Sequence, residues 1–166
     1  SLKSLHPAEG LEVSLWASEP MVRNPTAMEV DSRGRVWIAE GLNYRMKQKE
    51  FDSMSRIDRD GTQLEILSSG HRNNYEAAVD SFGNVFGSDN DDDGNRGCRM
   101  YWVMVGGEYG YQHPDSSRHW AEELPGIIPK LVGTGNGAPS GLVVYEGSLL
   151  PEQYHGAVLQ IDSGTH

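Results

Sequence analysis

Apolar and polar residues alternate in short runs broken by turn residues, and no long stretch keeps the 3.6-residue spacing of an amphipathic helix. The clearest run is Val30-Asp31-Ser32-Arg33-Gly34-Arg35-Val36-Trp37, where an apolar strand enters Asp-x-x-Gly and an alternating strand leaves it. Asp can cap such a turn through its own backbone and Gly accepts positive φ, so the pattern predicts a β-hairpin. The same phrase returns as Val79-Asp80-Ser81-Phe82-Gly83-Asn84-Val85-Phe86. Upstream, Arg23-Asn24-Pro25 recurs as Arg72-Asn73-Asn74, and downstream Glu40 recurs as Asp89, all at a constant spacing of 49 residues. Further hairpins are predicted at Arg56 to Leu67 around Asp60-Gly61, and at Arg99 to Val105 turning through Gly106-Gly107 into Tyr109 to Tyr111. A last one pairs Gly141 to Tyr145 with Ala157 to Ile161. Helical turns are expected only at 116–124.

A repeat of this length holding about four short strands has the size of one β-propeller blade, ~40 to 50 residues. The fold class read from the chain is therefore all-β and propeller-type, incomplete or short, with about three to four blades of antiparallel sheet in one domain, residues 1–166. A β-sandwich with two similar hairpins is the alternative. Composition agrees with short strands. At 37% hydrophobic and 23% charged the chain is too apolar for disorder, and 20 Gly with 8 Pro are too many for a helical bundle.

The net charge of −10 argues against nucleic-acid partners, which need a positive footprint. The single Cys98 excludes an internal disulfide, a Cys-based zinc site and C-x-x-C-H haem attachment. No window reaches the apolar length of a membrane helix, and no signal peptide opens the chain. A start at Ser1 and an end on Gly164-Thr165-His166 read as a piece of something longer.

The sharpest chemical motif is Asp89-Asn90-Asp91-Asp92-Asp93-Gly94. Alternate carboxylates on a tight loop can converge on a hard cation, and like charges this close repel unless a cation offsets them, so Asp89, Asp91, Asp93 and Gly94 are candidate calcium ligands. An EF-hand would need Glu where Met100 stands, so the loop is of another kind, or simply a solvated acidic turn. Arg72 and Asn73 offer planar donors suited to carboxylates, quinone oxygens and sugar hydroxyls. Their recurrence as Arg23-Asn24 also fits a purely structural tie between blades. The six histidines show no metal-binding spacing, and no serine sits in G-x-S-x-G. The four tryptophans fall on or near strands, where packing is the default role.

Gly70-His71-Arg72-Asn73, the acidic loop from Asp89, Gly106-Gly107-Glu108-Tyr109-Gly110-Tyr111 and Ala138-Pro139-Ser140-Gly141 stand in an order that resembles the glucose/sorbosone dehydrogenases. These are six-bladed propellers that use pyrroloquinoline quinone (PQQ) and calcium. Gly10-Leu11-Glu12-Val13, Ala17-Ser18-Glu19-Pro20, Arg23-Asn24-Pro25 and Ser88 to Gly94 resemble more narrowly a membrane-bound dehydrogenase domain of planctomycetes and verrucomicrobia. The resemblance implies oxidation of a small sugar or alcohol, PQQ held in part by Arg72 and Asn73, calcium at the loop from Asp89, a cytochrome c electron acceptor and a periplasmic or secreted location. It also exposes a departure, because the family places a catalytic His between the two Arg-Asn copies, and the interval from Arg45 to Arg56 holds none. His71 is the one imidazole beside Arg72-Asn73 and so the candidate catalytic residue. Open blade edges would allow a homo-oligomer. The competing class is a non-catalytic, calcium-stabilised binding module on the same fold.

Overall fold

The computed structural model describes residues 4–41, 52–90, 97–111 and 120–163. Its strands form three successive sheets. Sheet 1 takes β1 (Pro25–Val30), β2 (Val36–Glu40), β3 (Asp52–Ile57) and β4 (Glu65–His71) in chain order, and β8 (Gly107–Glu108) adds to the free edge of β4. Sheet 2 is β5 (Asn74–Val79), β6 (Val85–Asp89), β7 (Cys98–Trp102) and β9 (Val132–Gly135), and sheet 3 pairs β10 (Pro139–Tyr145) with β11 (Ala157–Asp162). The first strands of the three sheets stand beside one another, β5 against both β1 and β10, which is the radial repetition of propeller blades. Apart from a short 3-10 turn at Glu152–Tyr154, no helix occurs in the strand-bearing part of the described residues, and none is long and apolar enough to cross a membrane.

The Asp-x-x-Gly phrase makes the same turn twice. Asp31 Oδ1 accepts from the backbone N–H of Arg33 and Arg35, and Asp80 Oδ1 accepts from Phe82 and Asn84. Gly34 and Gly83 take φ of 77° and 91°, the conformation that closes each turn. Burial alone would raise the Asp31 carboxyl, but hydrogen bonds from Trp37, Arg35 and Arg33 outweigh it and hold the group below its ordinary value. The following Asp58 to Thr62 segment repeats the backbone pattern, with Gly61 N donating to Asp58 O.

Registers repeat as closely as turns. Pro25 pairs with Glu40 and Ala27 with Ala39, leaving a bulge between, and Asn74 with Asp89 and Glu76 with Ser88 do the same. The third hairpin follows suit, with Pro139 opposite Asp162 and Gly141 opposite Ile161. Because side chains alternate faces, this shared register puts corresponding residues of the three hairpins on the same face. Between sheets 1 and 2 lies a core of Trp37, Met54, Leu67, Val85, Tyr101 and Tyr109, and Ala78, Met100 and Leu142 join sheet 2 to sheet 3. Each large side chain buried this way contributes ~1.5 to 3 kcal/mol.

One expected hairpin is absent. The segment after β7 does not fold back on β7 but crosses to sheet 1, where β8 runs parallel to β4 with Ser68 opposite Gly107. Gly106 N donates to Leu67 O at 2.7 Å, Tyr109 N to Ser69 O and Tyr111 N to Gly70 O, both at 2.9 Å. Close approach is possible because Gly70, at φ 75°, has no Cβ: one there would lie 1.7 Å from Glu108 Oε1. The vacated edge of β7 is taken by β9. Of the helical turns expected at 116–124, residues 116–119 lie outside the described residues; the remainder is a bridge from Trp120 to Tyr111 and a turn at Ala121 to Leu124.

A Cβ on Gly87 would stand 2.5 Å from Cζ of the fully buried Tyr101, which has nowhere to move. Gly87→Ala should therefore lower stability by ~1 to 3 kcal/mol, read as a fall in Tm, whereas an Ala in the corresponding first-sheet position, held by Ile38, should act only as a cavity. An unchanged Tm for Gly87→Ala would contradict the packing of β6 on β7.

Candidate functional site

The backbone turns that open β1, β5 and β10 all gather at one end of the sheets, the end at which β2, β6 and β11 finish. In each case a carboxylate on the finishing strand anchors the turn. Glu40 Oε1 accepts from Arg23 N at 2.8 Å, Asp89 Oδ1 from Asn73 N at 2.7 Å and Asp162 Oδ1 from Ala138 N at 2.6 Å. A second, backbone bond closes each turn: Gly41 N to Asn24 O, Asn90 N to Asn73 O and Ser163 N to Ala138 O. The third copy has small residues in place of Arg-Asn, and a Cβ on Gly137 would fall 2.0 Å from Asp162 Oδ1.

The second carboxylate oxygen differs from sheet to sheet. Glu40 Oε2 accepts from Ser53 and Ser55 hydroxyls at 2.9 and 2.8 Å. Asp89 Oδ2 instead accepts from Arg99 Nη2 at 3.0 Å and Nε at 3.3 Å, with both oxygens also reached by Arg72 N. Asp89 and Arg99 are both fully buried. Around the guanidinium stand Trp120, 4.2 Å from ring centroid to Cζ, and Tyr101 and Tyr109 at 5.8 and 5.9 Å; Glu122 Oε1 lies 3.4 Å from Nη1. The cation is thus dressed by two carboxylates and three aromatic faces, a way to carry charge in a dry interior.

The candidate residues separate into three groups. Arg72 and Asn73 sit together on the second turn, their backbone N–H groups consumed by Asp89, with Arg72 half-buried and Asn73 buried. His71 is adjacent in sequence yet fully enclosed, stacked between Tyr101 at 4.8 Å and Tyr109 at 4.5 Å. Ser68 Oγ lies 2.9 Å from its Nε2, while Nδ1 meets no hydrogen-bond partner among the described residues. Burial, and secondarily the Arg99 charge, push the imidazole well below its ordinary 6.5, so it is neutral near pH 7. Asp89 is the anchor described above; Asp91, Asp93 and Gly94 lie outside the described residues. Among the described residues no group of three or more His, Cys, Asp or Glu side chains could hold a metal.

The fit of the implied groups follows from these donors. A quinone bearing carboxylates calls for guanidinium and amide N–H groups, which Arg72 and Asn73 supply, so their chemistry fits PQQ. Calcium does not fit the Asp89 side chain, whose oxygens already face four N–H donors, two of them on a guanidinium. Sequence reasoning missed Arg99, although β6 and β7 place it directly opposite Asp89. An opposite-charge cross-strand pair was the available signal.

Residues 1–59 match a family described as a domain of unknown function (DUF7133). No curated protein matches. Among solved structures, the PQQ-bound aldose sugar dehydrogenase of Streptomyces coelicolor aligns with a TM-score of 0.58 at 16% identity, over 85% of this chain and 49% of its own. An oxidoreductase of Thermus thermophilus, described as a glucose dehydrogenase, aligns with a TM-score of 0.54 at 17% identity, over 72% of this chain and 42% of its own. The chain thus spans about half the length of these structures or less, and its strands share the β-propeller dehydrogenase fold.

Proposed function

We propose that this chain forms the blades of a PQQ-dependent oxidoreductase acting on a small sugar or alcohol, with Arg72 and Asn73 as cofactor-binding residues. The observation that carries this reading is the carboxylate anchor. Asp89 takes up the turn's backbone N–H groups and fixes its direction, so the Arg72 and Asn73 side chains are held at the end of the sheets by a rigid backbone. Preorganised donors of this kind bind a charged, planar cofactor without first having to be ordered. PQQ, when bound, supplies the hydride acceptor. This chain's own residues orient it and position the substrate hydroxyl. Calcium enters the same reading through Asp91, Asp93 and Gly94, and a cytochrome c acceptor and a periplasmic or secreted location belong to it too.

A second reading, a non-catalytic binding module, is favoured by one observation. A general base must come within ~2.6 to 3.2 Å of the proton it takes, and His71, the candidate, is enclosed by Tyr101 and Tyr109 with its Nε2 beside Ser68. His71 acts as a packing residue in either reading.

Titrating the chain with PQQ should quench tryptophan fluorescence saturably, and Arg72→Ala should weaken binding by about tenfold or more with little change in Tm, as expected for loss of charge-assisted hydrogen bonds. Absent quenching would favour the binding module. The reconstituted chain alone should reduce no dye with aldoses; turnover that disappears in His71→Ala would instead make His71 the base.

Asp89→Asn should be far more damaging than Arg72→Ala. It leaves Arg99 buried beside a neutral amide, and breaking a buried pair costs about 3 to 5 kcal/mol. Urea denaturation checks this; a loss below about 1 kcal/mol would mean that Asp89 is not the anchor.

His71 should also contribute to the acid limb of stability. Its folded form is held neutral while the unfolded imidazole protonates near 6.5, so stability is fully present above that value and declines as pH falls below it, by up to about 1.4 kcal/mol per pH unit. His71→Phe, which keeps a ring between the tyrosines, should flatten the fall in Tm between pH 7 and 5. An identical pH profile would show that other groups set it.

A further inference from the structure

At the end of the sheets away from Arg72 and Asn73, roughly 20 Å off along a six-residue strand, a cleft of about 540 Å³ opens between the two Asp-x-x-Gly turns. Its floor is apolar and comes from both sheets: Trp37 and Leu67 from one, Val85 and the neighbouring Val103 from the other. Its rim carries two exposed aromatic rings. Phe82, at the tip of the second turn, is 89% exposed, and Trp102 is 41% exposed. A phenylalanine so bare at a turn tip has no packing role among the described residues.

Three guanidinium groups line the same cleft. Arg35 and Arg56 lie over Trp37, 5.5 and 5.3 Å from its ring centroid, and are paired with Asp31 and Glu65. Arg33 occupies in the first turn the place of Phe82 in the second; its exposed side chain has no hydrogen bond or ion pair among the described residues. The two aspartates at the cleft do not compete for it, since Asp31 is saturated by Arg33 N, Arg35 and the Trp37 indole, and Asp80 by Phe82 N and Asn84. A second cleft beside it is lined by Arg33, Arg35 and Arg59 together with Asp58 and Asp60, so its charge is mixed. The charges of the cleft are thus largely paired off within it, and what distinguishes it is the exposed Arg33 guanidinium beside bare aromatic rings and an apolar floor.

We propose that this cleft is a binding site for an amphiphilic anion, a small molecule with an aromatic or alicyclic body and one carboxylate or phosphate. The body fills the space between Phe82, Trp102 and the apolar floor, and the anionic group meets Arg33. The volume of this half-open cleft lies in the range of small-molecule sites, ~300 to 1,000 Å³, and an apolar floor under a charged and polar rim suits a ligand that is itself amphiphilic. Arg is suited to the role because its planar fork grips a carboxylate through two bonds.

The probe is 2-naphthoate, titrated into the full chain by calorimetry, with 2-naphthalenemethanol as the uncharged body and acetate as the bare anion. Naphthoate should bind saturably at one site. Arg33→Glu and Phe82→Ser, both at exposed positions and so retaining the wild-type Tm, should each weaken it about tenfold or more, as should loss of the charge in the alcohol. Acetate should not compete, and Arg72→Ala should leave binding unchanged. Absence of saturable binding below millimolar naphthoate would overturn the proposal. So would equal affinity in Arg33→Glu and Phe82→Ser, equal affinity for the alcohol, or loss of binding in Arg72→Ala. Phosphate competing as well as naphthoate binds would reduce the site to a plain anion site and overturn the apolar half of the assignment.

Discussion

The fold depends on a carboxylate placed where the second strand of each sheet ends. Glu40, Asp89 and Asp162 each reach back across their hairpin to the backbone that starts the first strand. That contact settles two things together. It satisfies N–H groups of the turn just ahead of the first paired residue, which lie outside the ladder, and it pins the register, since a slip by one residue would carry the acid to the other face. The innermost strands are then free to pack side by side, where Thr26 Oγ1 donates to Asn74 O at 2.7 Å and ties sheet 1 to sheet 2.

In sheet 2 the same acid does a further task. Its partner Arg99 brings a full positive charge into the interior, and the aromatic residues around it are arranged accordingly. Tyr101, Tyr109 and Trp120 turn ring faces toward the guanidinium, His71 stays neutral between the two tyrosines, and Glu122 supplies a second anion while also taking Lys130. The result joins β4, β7 and the segment after β8 into one polar cluster inside an otherwise apolar seam. Arg72 and Asn73 inherit their rigidity from it.

Much of this was legible in the residues. The repeat was visible because the Asp-x-x-Gly turns and the Arg-Asn starts use identical residue types, which the turn geometry itself requires. The third hairpin's strands were legible from their alternation, but not its equivalence to the others, because Gly137-Ala138 replaces Arg-Asn and the spacing changes; what persists is a contact, Asp162 to Ala138 N, that no composition displays. The parallel β8 was missed for a related reason. Gly106-Gly107 reads as a hairpin turn, and the partner it chooses is decided by Gly70, a distant residue whose missing Cβ leaves room for Glu108. Asp89 looked like a metal ligand because its sequence neighbours are acidic. Its spatial neighbours are cationic and backbone N–H groups, and His71, adjacent to Arg72 in sequence, alternates to the buried face of β4.

The crossing of β8 reaches beyond local pairing. In an array of blades stacked like coins, each unit can form and dissolve with only its neighbours' help. Here the last strand of sheet 1 comes from chain that has already built three strands of sheet 2, so the first blade cannot be finished until the second is well under way. During synthesis, residues up to His71 would emerge with the outer edge of β4 uncovered, awaiting Gly107 and Glu108. The two blades are laced together, and contacts so long in sequence are expected to make them melt as one cooperative unit and assemble slowly.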